Sequence, residues 1–207
     1  MTTSTNNILL LFAHPSLHRS EVNLPLFNRA QQTPGVTCID LYREYPHFSI
    51  DADIEQQRLL EHEIIIFMFP LYWYSTPALL KEWQDLVLEY GFAYGAGGNA
   101  LQGKHFFCAV TTGGQQGAYQ YDCKNKFTLK EFLLPIEQMA QLTGMRYLPP
   151  FALFGARSAI DEGRLSQHLE DWQQLLTALR EGHIDIDAAQ QLPLLNQDLS
   201  RLLGNHR

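Results

Sequence analysis

The sequence predicts an α/β fold in which a parallel sheet carries helices on both faces. Two observations lead there. Continuous apolar runs recur along the chain, the mark of strands covered on both sides, and each is followed by a helical pattern with its own cap or stop residue. At 207 residues, one domain can bury a sizeable core.

The run Ile8-Leu9-Leu10-Leu11-Phe12-Ala13 is the first strand. Ser20 is placed to cap a helix reaching about Gln32, where Pro34-Gly35 ends it. Pro25 falls in the first turns, where a missing N–H costs little. Val36 to Leu41 is a second strand, Asp53 to Glu63 a polar helix, and Ile64 to Phe69 a third strand. Thr76-Pro77 opens a helix ending near Tyr90, and Phe106 to Thr111 is the fourth strand. Thr128 caps a helix to Thr143, stopped by Gly144, with Pro135 inside the pattern as a kink or a late start. Met145 to Phe154 is the fifth strand, in which Pro149-Pro150 implies an edge or a bend. Asp161 to Arg180 is the last amphipathic helix. The expected organisation is one domain over residues 1–182 and a leucine-rich tail over 183–207. Strand–helix alternation puts ligands outside the carboxyl ends of the strands, where the strand order reverses.

Composition narrows the class. The chain is 45% hydrophobic and 18% charged, ordinary for a soluble globular protein. A net charge of -7 and the lack of any basic run argue against a nucleic-acid partner. The stretch Ile8 to Phe12 is too short for a signal peptide, and Ile64 to Tyr74 is broken by Pro70, far short of the ~20 residues a bilayer needs. Cys38, Cys108 and Cys123 are odd in number and lack metal-ligand spacing, and the two that sit in probable strands read as small core residues. The expectation is a cytoplasmic protein without disulfides.

Three strand ends carry chemistry. The loop Ala13 to Asn23 leads into a helix amino terminus, whose free N–H groups and dipole suit a phosphate, with Ser20 and Asn23 adding side-chain donors. No GxGxxG or Walker pattern is present, which disfavours the usual dinucleotide and nucleoside-triphosphate cradles. His14 and His18 do not make a metal pair, because Pro15 breaks helical i,i+4 geometry and no second ligand pair stands nearby. The loop Pro70-Leu71-Tyr72-Trp73-Tyr74-Ser75-Thr76-Pro77 offers aromatics to wall a planar ring. Thr111-Thr112-Gly113-Gly114 closes the set, with glycines that let backbone approach a flat or anionic ligand. Read singly, Ser20 is an N-cap, the aromatics are core cover and the glycines are a turn. Together they converge on one ledge of one sheet.

The pattern AHPxxxxSxxN, then PLYWYSTPALLKEW, then AYG, then LxGK before a strand ending TTGG, resembles the flavodoxin-like NAD(P)H:quinone oxidoreductases. That group includes the DT-diaphorase type and the ancillary subunits of bacterial glutathione-gated potassium-efflux systems. The likeness spans about Ile8 to Gly155. It implies a three-layer flavodoxin-like sandwich with a five-stranded parallel sheet, and a homodimer with flavin at the subunit interface. His14, Ser20 and Asn23 would hold the flavin phosphate region. Leu71, Tyr72, Trp73 and Tyr74 would line the isoalloxazine, and Thr111, Thr112, Gly113 and Gly114 would complete that wall. Tyr119, five residues beyond Gly114, matches a tyrosine that stabilises reduced flavin, so it is the expected catalytic residue. The family pairs it with a histidine six residues on; here Asn125 stands there. The implied cofactor is FMN, with FAD as the alternative, and NAD(P)H is the implied co-substrate.

The implied activity is hydride transfer from NAD(P)H through flavin to quinone-type acceptors. A redox-sensing subunit of a membrane transporter, peripheral at the inner face of the membrane, is the alternative. A one-electron carrier is disfavoured, because the first loop lacks the hydroxyl- and glycine-rich cradle expected there.

Overall fold

The computed structural model describes residues 5–203. Four strands form the body of the sheet: β1 (Ile8–Phe12), β2 (Val36–Asp40), β3 (Ile64–Pro70) and β4 (His105–Thr111). The fifth expected strand is split into β5 (Arg146–Tyr147) and β6 (Phe151–Leu153), both parallel to β4. Pro149 and Pro150 have no N–H to give the ladder, so the strand breaks where they stand. The order is β2-β1-β3-β4-β5, all parallel, so the order reverses between β1 and β3. The loops after those two strands therefore flank a crevice at the carboxyl edge.

The helices are α1 (Asn23–Gln31), α2 (Leu41–Glu44), α3 (Ala52–Leu60), α4 (Ala78–Val87), α5 (Leu129–Phe132), α6 (Leu134–Leu142), α7 (Arg164–Glu181), α8 (Ile186–Gln190) and α9 (Leu199–Leu202). Their starts follow local chemistry. Asp51 accepts from Ile54 N–H at the head of α3, and Thr128 and Glu131 form a reciprocal capping box on α5. Pro135 divides the expected long helix into α5 and α6 and sits in the first turn of α6. The first helix begins later than expected. Leu17–Arg19 winds into a 3-10 turn that Ser20 closes, so α1 starts at Asn23 and Pro25 falls among the N–H groups that need no helical partner. The short α2 was not foreseen; Asp40 starts it by accepting from Tyr42 and Arg43 N–H.

Alternate strand residues feed two cores. Leu9, Leu11, Ile65, Phe67 and Phe69 pack with α3 to α6, whereas Ile8, Leu10, Phe12, Ile64, Ile66 and Met68 pack with α1 and α7. Burial of both faces is why these strands read as unbroken apolar runs; each such side chain stabilises the fold by about 1.5–3 kcal/mol. The segment after residue 183 joins the second core through Ala189, Leu195, Leu199 and Leu202, all buried. It also covers the open sheet edge. Asn196 accepts from Ala152 N–H at 3.0 Å and donates back to Ala152 C=O at 3.1 Å, as a neighbouring strand would. No described helix is long and apolar enough to cross a membrane.

Candidate functional site

An open cleft of about 700 Å³ lies at the carboxyl edge, over the reversal between β1 and β3. The structure brings His14, Ser20, Asn23, Leu71, Tyr72, Trp73, Thr111, Thr112 and Gly113 to its walls. These come from all three loops singled out in the sequence, and side chains bind them to one another. Ser20 Oγ accepts from Asn23 N–H at 3.0 Å and from Asn23 Nδ2 at 2.9 Å. Asn23 Oδ1 accepts from the Thr111 hydroxyl at 3.0 Å, a tie across 88 residues of sequence. Both acceptor positions of Ser20 are thereby filled, and its O–H remains to donate to a ligand.

His14 is fixed at both ring nitrogens. Nδ1 accepts from Ser16 N–H at 3.0 Å, so in the neutral ring Nε2 carries the proton, facing the Tyr72 hydroxyl at 3.3 Å. Burial holds this imidazole below its ordinary pKa, and the charge of His18 adds to the effect. The tautomer therefore joins the first loop to the second without a net charge.

The second loop is a tight reversal. Ser75 N–H donates to Tyr72 C=O at 3.1 Å, and the residues between, Trp73 and Tyr74, have φ of 49° and 64°. Two consecutive left-handed residues match a type I′ turn, which glycine or asparagine ordinarily fills. Non-glycine residues there cost about 1–3 kcal/mol each, and such strain collects at ligand sites. Trp73 is 93% exposed. Tyr74 turns away from the cleft, stacks on Phe132 at 4.8 Å and donates to Asn125 Oδ1 at 3.3 Å.

Tyr74, Gly114 and Tyr119 therefore do not line the cleft, although the sequence groups them with it. Tyr119 is buried between Phe132 and Phe154, with its ring beside Gly114: a Cβ added to Gly114 would stand 3.3 Å from Tyr119 Cε2. Gly113 is the reverse case. A Cβ there would meet no protein atom within 4 Å, so that space belongs to the cleft. A flat ligand can approach the backbone at this point, which fits the polar edge of a flavin.

Sequence reasoning missed Ser16, Arg19, Glu21, Ala156 and Arg157, which also line the cleft. Arg19 could have been found from its place in the phosphate-suited loop. Ala156 and Arg157 follow β6, whose end had no loop assigned; Gly155, with φ of 62°, was the available signal. Arg19 and Arg157 line the same cleft as Ser20, and such donors suit an anionic group. Among the described residues, no group of three or more His, Cys, Asp or Glu is placed to hold a metal ion.

Comparison with known proteins agrees with this geometry. The family model for the flavodoxin-like fold matches residues 6–176. The glutathione-regulated potassium-efflux system ancillary protein KefG of Cronobacter sakazakii is 46% identical over 157 residues, 76% of this chain and 85% of that protein. Among solved structures, general stress protein 14 of Treponema denticola, in complex with FMN, has a TM-score of 0.79 at 34% identity, covering 84% of this chain and 99% of that one. An NADPH-quinone reductase from P. pentosaceus has a TM-score of 0.74 at 35% identity, covering 82% and 96%. The chain thus belongs to the flavodoxin-like fold family.

Proposed function

We propose that this protein is a two-electron flavin reductase, taking hydride from NAD(P)H and passing it to quinone-type acceptors, with FMN rather than FAD in the cleft. The observation that carries the reading is the cleft itself: one open space joins hydroxyl and arginine donors to a wall of Leu71, Tyr72, Trp73, Thr111 and Gly113. The FMN complex and the quinone reductase among its structural relatives support it.

FMN, when bound, supplies the hydride-accepting and hydride-donating chemistry. The chain supplies the surroundings. Ser20, Arg19 and Arg157 would hold the phosphate end, while the neutral His14–Tyr72 contact keeps the first two loops in register. Gly113 leaves room for backbone approach, and fixed donors there would favour the negative charge that develops at the polar edge. Tyr119 would donate a hydrogen bond past Gly114 to that edge. Asn125, where the family carries histidine, accepts from Tyr74 and is no proton donor at neutral pH, so no Tyr–His relay is assigned. The exposed Trp73 face supports a homodimer in which a second copy covers it.

A second reading is a regulatory subunit docking on a membrane transporter from the cytoplasmic side, supported by the likeness to KefG. Both readings require bound flavin. The experiment is an absorbance spectrum after incubation with FMN or FAD and desalting, followed by anaerobic NADPH or NADH. Flavin bands that bleach, and return on adding a quinone, are expected. Flavin retained without bleaching would move the reading to the regulatory subunit. No retained flavin would overturn both.

A further inference from the structure

We infer that Arg164 is a positioning residue for the cleft, acting through the Phe154–Ser158 loop that it ties down. The inference rests on the FMN reading for its consequence but not for its geometry. Arg164 opens α7 directly after Gly163. Its Nη1 donates to Phe154 C=O at 2.8 Å, and its Nη2 to Gly155 C=O at 3.3 Å and Ser158 Oγ at 3.4 Å. Its Nε donates to the Glu162 carboxylate at 2.6 Å. Every nitrogen of the guanidinium thus has an acceptor within the chain.

The clamped loop is locked in turn to the cleft wall. Gln115 Nε2 donates to Ser158 Oγ at 2.9 Å, which joins the loop after β4 to the loop after β6. Gly155 N–H donates to Gly114 C=O and Ala156 N–H to Thr112 C=O, each at 2.8 Å, continuing the pairing beyond β6. Glycine suits position 155, since its φ is 62° and a Cβ would lie 2.5 Å from Gln115 Oε1, displacing the amide that bonds Ser158. The outcome of these contacts is the placement of Ala156 and Arg157 on the cleft.

The two arginines have opposite conditions. Each nitrogen of Arg164 has an acceptor in the chain, whereas no described residue pairs with the Arg157 guanidinium, which would be left to meet an anion such as the FMN phosphate. Arg164 would hold Arg157 and the Thr112–Gly113 wall at a fixed separation without touching the ligand. A lysine cannot replace it, because one ammonium does not span the Phe154, Gly155 and Ser158 oxygens as a planar fork does.

The test uses the full chain with Arg164→Gln, Arg164→Lys, Arg157→Gln and the Arg164→Gln/Arg157→Gln double variant. FMN affinity is read by fluorescence titration, and backbone order by amide hydrogen exchange without FMN. Arg164→Gln and Arg164→Lys should each weaken FMN by about tenfold, as should Arg157→Gln. The double variant should be no more than about threefold weaker than Arg157→Gln alone, because the two residues act in series. Exchange at Gly155 and Ala156 should quicken in the Arg164 variants, while Leu10 and Ile66 keep wild-type rates. Wild-type affinity in Arg164→Gln, rescue by lysine, or full additivity in the double variant would overturn the cofactor role. Unchanged exchange at Gly155 and Ala156 would overturn the clamp. Failure of the wild type itself to bind FMN would sink the functional reading, with the exchange rates still deciding the clamp.

Discussion

Two groups of buried polar residues in this molecule differ in what they leave undone. Under α3 and α4, Glu55 is wholly buried and accepts from the Tyr45 hydroxyl at 2.7 Å, from Trp83 Nε1 at 2.8 Å and from Arg58. Arg58 also pairs with Glu44 at 2.8 Å. Burial, together with the hydrogen bond to Glu55, pushes the Tyr45 hydroxyl up in pKa, so it remains a donor. At the cleft, His14, Asn23, Thr111 and Thr112 are also buried, yet Ser20 beside them keeps a donor and Gly113 keeps open space. Burial alone does not separate structure from function. What separates them is hydrogen-bonding capacity left facing a cavity.

The largest expected effect breaks the saturated group. Glu55→Leu strands the Tyr45 hydroxyl and Trp83 Nε1 and leaves Arg58 with Glu44 alone, and should lower unfolding stability by about 3–5 kcal/mol in urea titration. FMN affinity of the folded protein should stay within about twofold of the wild type. A loss below about 1 kcal/mol would remove the contrast. Gly113→Val acts on the other group. The new side chain meets no protein atom near its Cβ, so stability should hold, while FMN affinity falls by roughly 5- to 150-fold through intrusion into the cleft. An unfolded variant, or one that binds FMN normally, would count against that use of the space.

A pH effect comes next. Burial, assisted by the charge of Arg164, depresses the pKa of His168 to about 3, and burial depresses that of His14. The unfolded chain takes up these protons near 6.5, before the folded chain does. Stability should therefore be complete above that pH and decline as pH falls toward about 3, by at most about 1.4 kcal/mol per pH unit for His168. His168→Leu should flatten the decline in denaturation curves taken across that range; an unchanged slope would remove His168 from the account. Tyr119→Phe carries the smallest effect. Flavin should stay bound, and its bleaching by NADPH in stopped flow should slow about fivefold, the worth of one hydrogen bond. Reduction at the wild-type rate would leave Tyr119 as packing between Phe132 and Phe154 alone.

Much of this architecture is legible in the sequence. Residues such as Leu9 and Leu10 are both apolar because both faces of β1 are covered, and that pattern survives without coordinates. Thr128 and Glu131 announce their cap, and Pro149-Pro150 announce the break between β5 and β6. Less legible was the start of α1. A 3-10 turn and a helix share their first hydrogen-bonding choices, and Ser20 serves either.

For the site, nine of the twelve residues drawn from the sequence line the cleft. The sequence alone determined the strand ends that carry hydroxyls, glycines and aromatics, because those residue types follow recognisable apolar runs. Only the tertiary structure decided which of them face the cleft. Tyr74 and Tyr119 turn to Phe132, and Arg157 arrives from a strand end with no motif, on a loop whose Phe154, Gly155 and Ser158 oxygens accept from Arg164. The direction of a side chain depends on partners tens of residues away, and no local pattern encodes those partners.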